Sequence, residues 1–128
     1  KEVGFETTGF FMLALPKDTK ESMQKTIDFS KELDLDIAKF SICTPLPGTP
    51  QFIEWKIEKR IKTTNWDEYI FHKKGPKIFD HPNLDWQTID EYYDKAYREF
   101  YLRPKYIIKR LMKGNLLNDF KSFISTKW

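Results

Sequence analysis

The stretch that most constrains the fold is Thr8–Leu15, Thr-Gly-Phe-Phe-Met-Leu-Ala-Leu, a nearly continuous apolar run closed by Pro16. It is too short for an ordinary buried helix and suits a strand covered on both faces. Thr19, with Ser22 close behind, reads as a helix N-cap. Met23, Ile27, Ser30 and Leu33 or Lys31 follow near helical spacing, which predicts a helix from about Thr19 to Leu33. Asp34-Leu-Asp36 interrupts that pattern. Ile37 to Thr44 resumes as a strand, with Phe40 and Ile42 on one face and Lys39, Ser41 and Cys43 on the other. Strand, helix and strand at these lengths make a parallel crossover unit with its helix on one face of the sheet, so the fold class is α/β.

Pro45, Pro47 and Pro50 around Gly48 cannot continue a ladder and form a rigid loop at the second strand's carboxyl end. In α/β sheets and barrels that end is where ligands sit, so Thr44–Thr49 is the strongest local candidate for function, a stiff turn being the structural alternative. Phe52 to Ile61 is predicted helical, with Ile53, Ile57 and Ile61 along one stripe. Tyr69-Ile-Phe71 and Ile78-Phe79 flank Lys73-Lys-Gly-Pro76, a hairpin or an irregular cap. Asp85 or Thr88 caps a long helix through Ile89, Tyr93, Ala96, Tyr97 and Phe100 that ends before Arg103-Pro104. A further helix starts at Pro104 and ends at Gly114-Asn115, and a last one spans Leu116 to Ile124 with Leu116, Phe120, Phe123 and Ile124 inward.

With 22 basic and 19 acidic residues and 40% hydrophobic content, the 128 residues suit one globular domain and exclude a disordered polyelectrolyte. No apolar run approaches the roughly 20 residues of a membrane span and no signal-peptide pattern opens the chain, so a cytoplasmic protein without a membrane partner is expected. Cys43 is the lone cysteine; with only His72 and His81 beside it, no disulfide and no metal cluster is expected. Cys43 reads as a small buried hydrophobe rather than a nucleophile, and His81-Pro82 as a turn. The first residue, Lys1, enters a sequence already in progress, which reads as a chain cut from something longer. Lys39 and Ser41 on an otherwise apolar strand face either a wet cavity or ligand, or belong to an edge strand from which Lys39 reaches water. Tyr93, Tyr97 and Phe100 read as a core-facing stripe rather than a nucleic-acid stacking platform. From Arg103 onward seven basic residues stand against Asp119 alone. Lys105, Lys109 and Lys113 share one helical face and Ile108, Leu111 and Met112 lie on another, a basic amphipathic segment that docks an anionic partner or packs its apolar side on the body.

Gly9-Phe-Phe-Met-Leu-Ala-Leu-Pro-Lys-Asp-Thr19 and Phe40-Ser-Ile-Cys-Thr-Pro-Leu-Pro-Gly-Thr49, with Trp66-Asp-Glu-Tyr69, His81-Pro-Asn-Leu84 and the segment Ala96 to Pro104, resemble the later part of radical S-adenosylmethionine enzymes. The nearest look is to the cobalamin-associated iron–sulfur oxidoreductase group, similar to anaerobic Mg-protoporphyrin monomethyl ester cyclases. The resemblance implies the last strands and helices of a partial (β/α) barrel over residues 1–62, and an irregular cap with a C-terminal helical extension over 63–128. It implies the C-terminal fragment of an oxidoreductase that uses S-adenosylmethionine and a 4Fe-4S cluster, with cobalamin as an option. Met12, Ala14 and Pro16 would lie beside S-adenosylmethionine, and Ser41, Thr44 and Pro45 near its adenosine or a small-molecule substrate. No catalytic residue or metal ligand falls in this chain. Because Cys-x-x-x-Cys-x-x-Cys is absent, the isolated fragment is expected to be inactive. Its partner would be the missing N-terminal part of the same barrel, whose absence favours self-association. Ala14 and Lys17 stand where that pattern has Gly, and Asp18 where it has Glu. The competing reading is a non-catalytic α/β binding module that docks an acidic partner or nucleic acid through its basic helical tail, with no recognisable nucleic-acid motif in its favour.

Overall fold

The computed structural model describes residues 5–69, 78–112 and 121. Strands β1 (Thr8–Leu13) and β2 (Ile37–Ile42) pair in parallel, from Thr8 opposite Ile37 to Leu13 opposite Ile42. Helix α1 (Lys20–Glu32) crosses between them; α2 (Pro50–Ile57), α3 (Trp86–Tyr101) and α4 (Pro104–Met112) follow. The described residues therefore make a small α/β domain with a two-stranded parallel sheet and four helices. The start of α1 is fixed as expected: Ser22 N–H donates to Thr19 Oγ1 at 3.3 Å and Thr19 N–H to Ser22 Oγ at 2.9 Å, a reciprocal capping box.

Side-chain alternation gives the sheet two unlike faces. Leu13, Ala38, Phe40 and Ile42 are buried on the side covered by α1 and α3, with Phe11 packed against them. Phe40 lies at the centre, stacked on Phe11 at 5.4 Å and edge-on to Tyr97 at 5.3 Å and Phe100 at 6.4 Å. Gly9 belongs to this side because a Cβ there would fall 2.3 Å from Leu35 Cδ1. On the other face Phe10 is 77% and Met12 48% exposed, beside exposed Lys39. The described residues thus cover the apolar run on one face, not two.

Helix α2 is shorter than its isoleucine spacing predicts and turns the other way. Phe52 and Trp55 are buried, whereas Ile53 and Ile57 are 53% and 77% exposed. Lys59, at φ +59°, ends it: Arg60 N–H donates to Trp55 O at 2.8 Å and Lys59 N–H to Lys56 O at 3.1 Å, a Schellman closure. Ile61 leaves the helix and bridges Phe79 in antiparallel sense.

Helix α3 is capped by Asp85, whose carboxylate accepts from Thr88 N–H at 2.7 Å, and buries Ile89, Tyr93, Ala96 and Phe100. It also bonds the sheet directly. The Tyr97 hydroxyl takes the N–H and C=O of Phe40, both at 3.1 Å, and the Tyr101 hydroxyl those of Ala38 at 3.2 and 2.8 Å. Helix α4 begins at Pro104 and inverts the expected polarity. Arg110 is buried against Glu6 at 3.0 Å, and Lys109 turns to Asp34 at 2.9 Å. Ile108, Leu111 and Met112 face outward. Of the basic stripe, Lys109 is therefore spent on the body, whereas Lys105 stays exposed. His72, Lys113, the Lys73–Pro76 turn and, Lys121 apart, the Leu116–Ile124 segment lie outside the described residues.

Two outcomes follow from this packing. Phe40→Ala lowers stability by about 3–5 kcal/mol in denaturant titrations, because three aromatic neighbours are left around a cavity. The second concerns acid. Burial alone would raise the Glu99 carboxyl, but Lys31 Nζ at 2.6 Å and the Gln24 amide hold it below its ordinary range; Lys31 at 2.8 Å lowers Asp28 in the same way. Carboxyls depressed in the folded state stabilise it above their unfolded values near pH 4 and lose that contribution as pH falls further. Unfolding free energy measured from pH 6 to 3 declines through this window, and Lys31→Met flattens the decline.

Candidate ligand site at the strand ends

Because β1 and β2 are parallel, their carboxyl ends and the loops leaving them lie side by side. Met12 and Ser41 are register partners whose side chains share the uncovered face, as do Phe10 and Lys39 one pair earlier. The last rung of the ladder is Cys43 N–H to Leu13 O at 2.7 Å.

The loop after β1 is held against strain. Ala14 is fully buried and lies at φ +59°, the left-handed region that costs a residue with a Cβ about 1–2 kcal/mol. Three bonds keep it there. Leu15 N–H donates to Asp18 Oδ2 at 2.8 Å, while Leu15 O accepts from Asp18 N–H and from His81 Nε2, both at 2.8 Å. His81 Nδ1 accepts from the N–H groups of Asn83 and Leu84 at 3.1 Å, so the ring proton sits on Nε2 and points at Leu15. Asp18 Oδ1 also takes the Ser22 hydroxyl at 2.7 Å, tying the loop to the first turn of α1. Lys17 is not in the left-handed region, so its side chain is accommodated without strain.

The loop after β2 is stiffened by its own hydroxyls. Thr44 Oγ1 donates to Ile42 O at 3.2 Å, and Thr49 Oγ1 donates to Leu46 O at 2.7 Å while accepting from Phe52 N–H at 3.2 Å to cap α2. Gly48 takes φ +83°; the requirement is conformational, since nothing lies within 4 Å of where a Cβ would stand. Pro45 is fully buried. The Cys43 thiol donates to Gln51 Oε1 at 3.6 Å, and burial pushes its titration upward, away from a reactive thiolate.

Of the six residues singled out from the sequence, Met12 and Ser41 meet on the open face, Pro16 and Thr44 are half-buried in the two loops, and Ala14 and Pro45 turn into the body. Asp18 and His81, which hold the first loop, carried no strong sequence signal beyond turn character at Pro16 and Pro82. Among the described residues no group of three or more His, Cys, Asp or Glu side chains could hold a metal ion. No helix among them is long and apolar enough to cross a membrane.

Comparison with known proteins returns methyltransferases. The chain is 36% identical over 114 residues to an uncharacterized methyltransferase of Pyrococcus horikoshii, covering 88% of this chain and 24% of that protein. It is 34% identical over 111 residues to the bacteriochlorophyllide d C-12(1)-methyltransferase of Chlorobaculum tepidum, covering 86% of this chain and 23% of that protein. The chain thus spans about a quarter of the length of these relatives. No protein-family profile and no solved structure matches it. These relatives overturn the expectation of a radical S-adenosylmethionine oxidoreductase akin to Mg-protoporphyrin ester cyclases, and the iron–sulfur and oxidoreductase assignments fall with it. An oxidoreductase moves electrons or hydrogen, whereas a methyltransferase moves a carbon group.

The strain at residue 14 is directly measurable. Ala14→Gly raises unfolding free energy by about 1 kcal/mol in urea titrations, the relieved left-handed strain outweighing the added freedom of the unfolded chain. Asp18→Ala lowers it by about 1–3 kcal/mol, since Leu15 N–H and the Ser22 hydroxyl lose their acceptor.

Proposed function

We propose that these residues form one part of a methyltransferase, lining the pocket where S-adenosylmethionine and a small-molecule methyl acceptor meet. The observation that carries this reading is the paired carboxyl ends of β1 and β2, with Met12 and Ser41 side by side on an uncovered face, in a chain similar to methyltransferases over more than 100 residues. The parallel crossover, with the described helices that pack on the sheet lying on one face only, supports a partial α/β barrel whose uncovered face looks inward. On that reading residues 1–62 supply barrel wall and 63–128 a cap and helical extension.

The donor set suits such a cofactor. Gln51 Nε2 is buried without a hydrogen-bond partner among the described residues beside Cys43, a donor that a ligand oxygen or ring nitrogen would satisfy. Met12, Ser41 and Thr44 would contact the cofactor, with Pro16 at the rim; Ala14 and Pro45 act through the loops they stiffen. Bound S-adenosylmethionine would supply an electrophilic methyl group. The chain's own part is to orient the two molecules and exclude water. Phe10 and Met12 offer apolar area, and Lys39 a cation that suits an acceptor bearing negative charge.

The test is retention of tritiated S-adenosylmethionine by the full-length gene product. Binding is expected there, weakened at least about tenfold by Met12→Asp combined with Ser41→Phe, with helix content unchanged by circular dichroism. No retention by the full-length product, or retention indifferent to both substitutions, overturns the proposal.

A further inference from the structure

His81-Pro-Asn-Leu84 has the character of a local turn, yet its ring acts well beyond the turn. Pro82 has no N–H, so the first amides after His81 are those of Asn83 and Leu84, and both donate to His81 Nδ1 at 3.1 Å. The ring keeps one hydrogen, on Nε2, and gives it to Leu15 O, 66 positions earlier, at 2.8 Å. It is 7% exposed and stands edge-on to Trp55 at 6.0 Å.

The segment that carries this ring is itself fixed to α2 and α3. Asp80 N–H donates to Arg60 O at 2.9 Å and Lys62 N–H to Ile78 O at 2.8 Å, just past the end of α2. The Phe79 ring lies 5.1 Å from Trp55 and 4.9 Å from Trp86, whose indole N–H donates to Phe79 O at 2.7 Å. Trp55 belongs to α2, and α2 is where the second loop ends, capped by Thr49. His81 therefore holds the first loop with its Nε2 and meets the helix of the second loop with its ring edge. Asn83 Nδ2 adds a longer contact to Asp18 O at 3.5 Å. Among the described residues no hydrogen bond joins residues 14–18 directly to residues 44–49. Past the last rung at Cys43, the bridge through His81 is what relates the two loops.

We infer that His81 is a positioning residue for the candidate site: its ring sets the separation of the two loops beside Met12 and Ser41, and with it the width of the opening that a ligand enters. A flat ring bonded on one side and packed on the other specifies that distance, which a flexible side chain would not. Small errors of placement are costly in a site that must align two molecules. This role rests on the reading of the strand ends as the place of S-adenosylmethionine; His81 itself acts on Leu15 and Trp55.

Two substitutions separate this role from a local one. In His81→Asn the amide oxygen takes the place of Nδ1 and still accepts from Asn83 and Leu84, but nothing reaches Leu15. In His81→Gln the amide nitrogen takes the place of Nε2 and still donates to Leu15 O, while the turn loses its acceptor. In the full-length gene product, His81→Asn is expected to weaken retention of tritiated S-adenosylmethionine at least about tenfold, and His81→Gln less than about threefold. Without cofactor, the Asp18 amide, which shares Leu15 O, exchanges at least about tenfold faster in His81→Asn alone. Equal weakening by both variants, or weakening that follows their loss of stability in urea, overturns the inference, since His81 would then only build its own turn. So does retention that neither variant alters. If the wild-type product retains no S-adenosylmethionine, the reading of the site fails by itself, and the Asp18 amide still decides whether His81 holds the loop. A measurement on the wild type covers variants that do not fold. In protein carrying nitrogen-15 histidine, the His81 Nε2 proton gives a slowly exchanging NMR signal that shifts when S-adenosylmethionine is added; an unmoved signal in a product that retains the cofactor overturns the inference.

Discussion

A buried strand must place the backbone groups on both of its sides, and in β2 one side is served by another strand while the other is served by two tyrosine hydroxyls. Each hydroxyl both donates and accepts, so one side chain replaces the pair of bonds that a neighbouring strand would make. The spacing is dictated by geometry. Tyr97 and Tyr101 are one helical turn apart, about 6 Å along α3, and Phe40 and Ala38 are two residues apart, about 6.6 Å along β2. That match locks the helix in register with the sheet, and the remaining contacts follow: Phe100 reaches Phe40, Glu99 reaches Lys31 on α1, and Arg103 donates to Lys31 O at 2.6 Å while stacking on Phe100.

The opposite ends of the sheet are built from different chemistry. At the amino end Asp36 is fully buried, accepts from Thr7 N–H and its hydroxyl at 3.0 Å, and lies 3.9 Å from both Lys109 and Arg110. Tyr106 donates to the Asp36 carbonyl at 2.8 Å. Burying ions is tolerable only when each has counter-charge and hydrogen bonds, and here one carboxylate, with Glu6 and Asp34, draws two cations of α4 inward. This explains why α4 shows apolar residues to the outside: its polar side is the one with a partner in the body. At the carboxyl end no such ionic cluster is described; the single Asp18 carboxylate, hydroxyls, prolines and a histidine hold the loops beside the open face.

Legibility in the sequence tracks how local each signal is. The crossover unit was readable because its parts lie within about 40 consecutive residues: the run ending at Pro16, the Thr19–Ser22 cap, the alternation around Phe40. The starts of α3 and α4 were readable from Asp85 and Pro104. Helix α2 was misread because Ile53 and Ile57 mimic an inward stripe, while the true choice was made by Phe79 and His81, far along the chain, which offer surfaces to Trp55. The inward turn of Lys109 and Arg110 on α4 was missed for the same reason, since Asp34 and Asp36 lie 70 or more positions away from the residues they attract. Of the candidate site, the strand ends and the Thr44–Thr49 loop were legible; Asp18 and His81 were not, because a single polar side chain that ties a loop by one or two backbone amides leaves no periodic trace.

The uncovered face of the sheet is best understood together with the strain beside it. A left-handed alanine in a fully buried position persists only where surrounding bonds over-determine it, and here the Asp18 carboxylate and the His81 ring converge on the very next residue. The same bonds turn the chain sharply away after Leu13, so that the loop does not fold back over Met12. The second loop behaves alike: Pro45 is buried, Gly48 turns the backbone, and Thr49 redirects it into α2 rather than across Ser41. Two independent segments thus spend conformational strain or rigid residues on keeping one small area clear. A sheet that needed only stability would gain by letting either loop cover Phe10 and Met12. Both leave Phe10 and Met12 bare, 77% and 48% exposed.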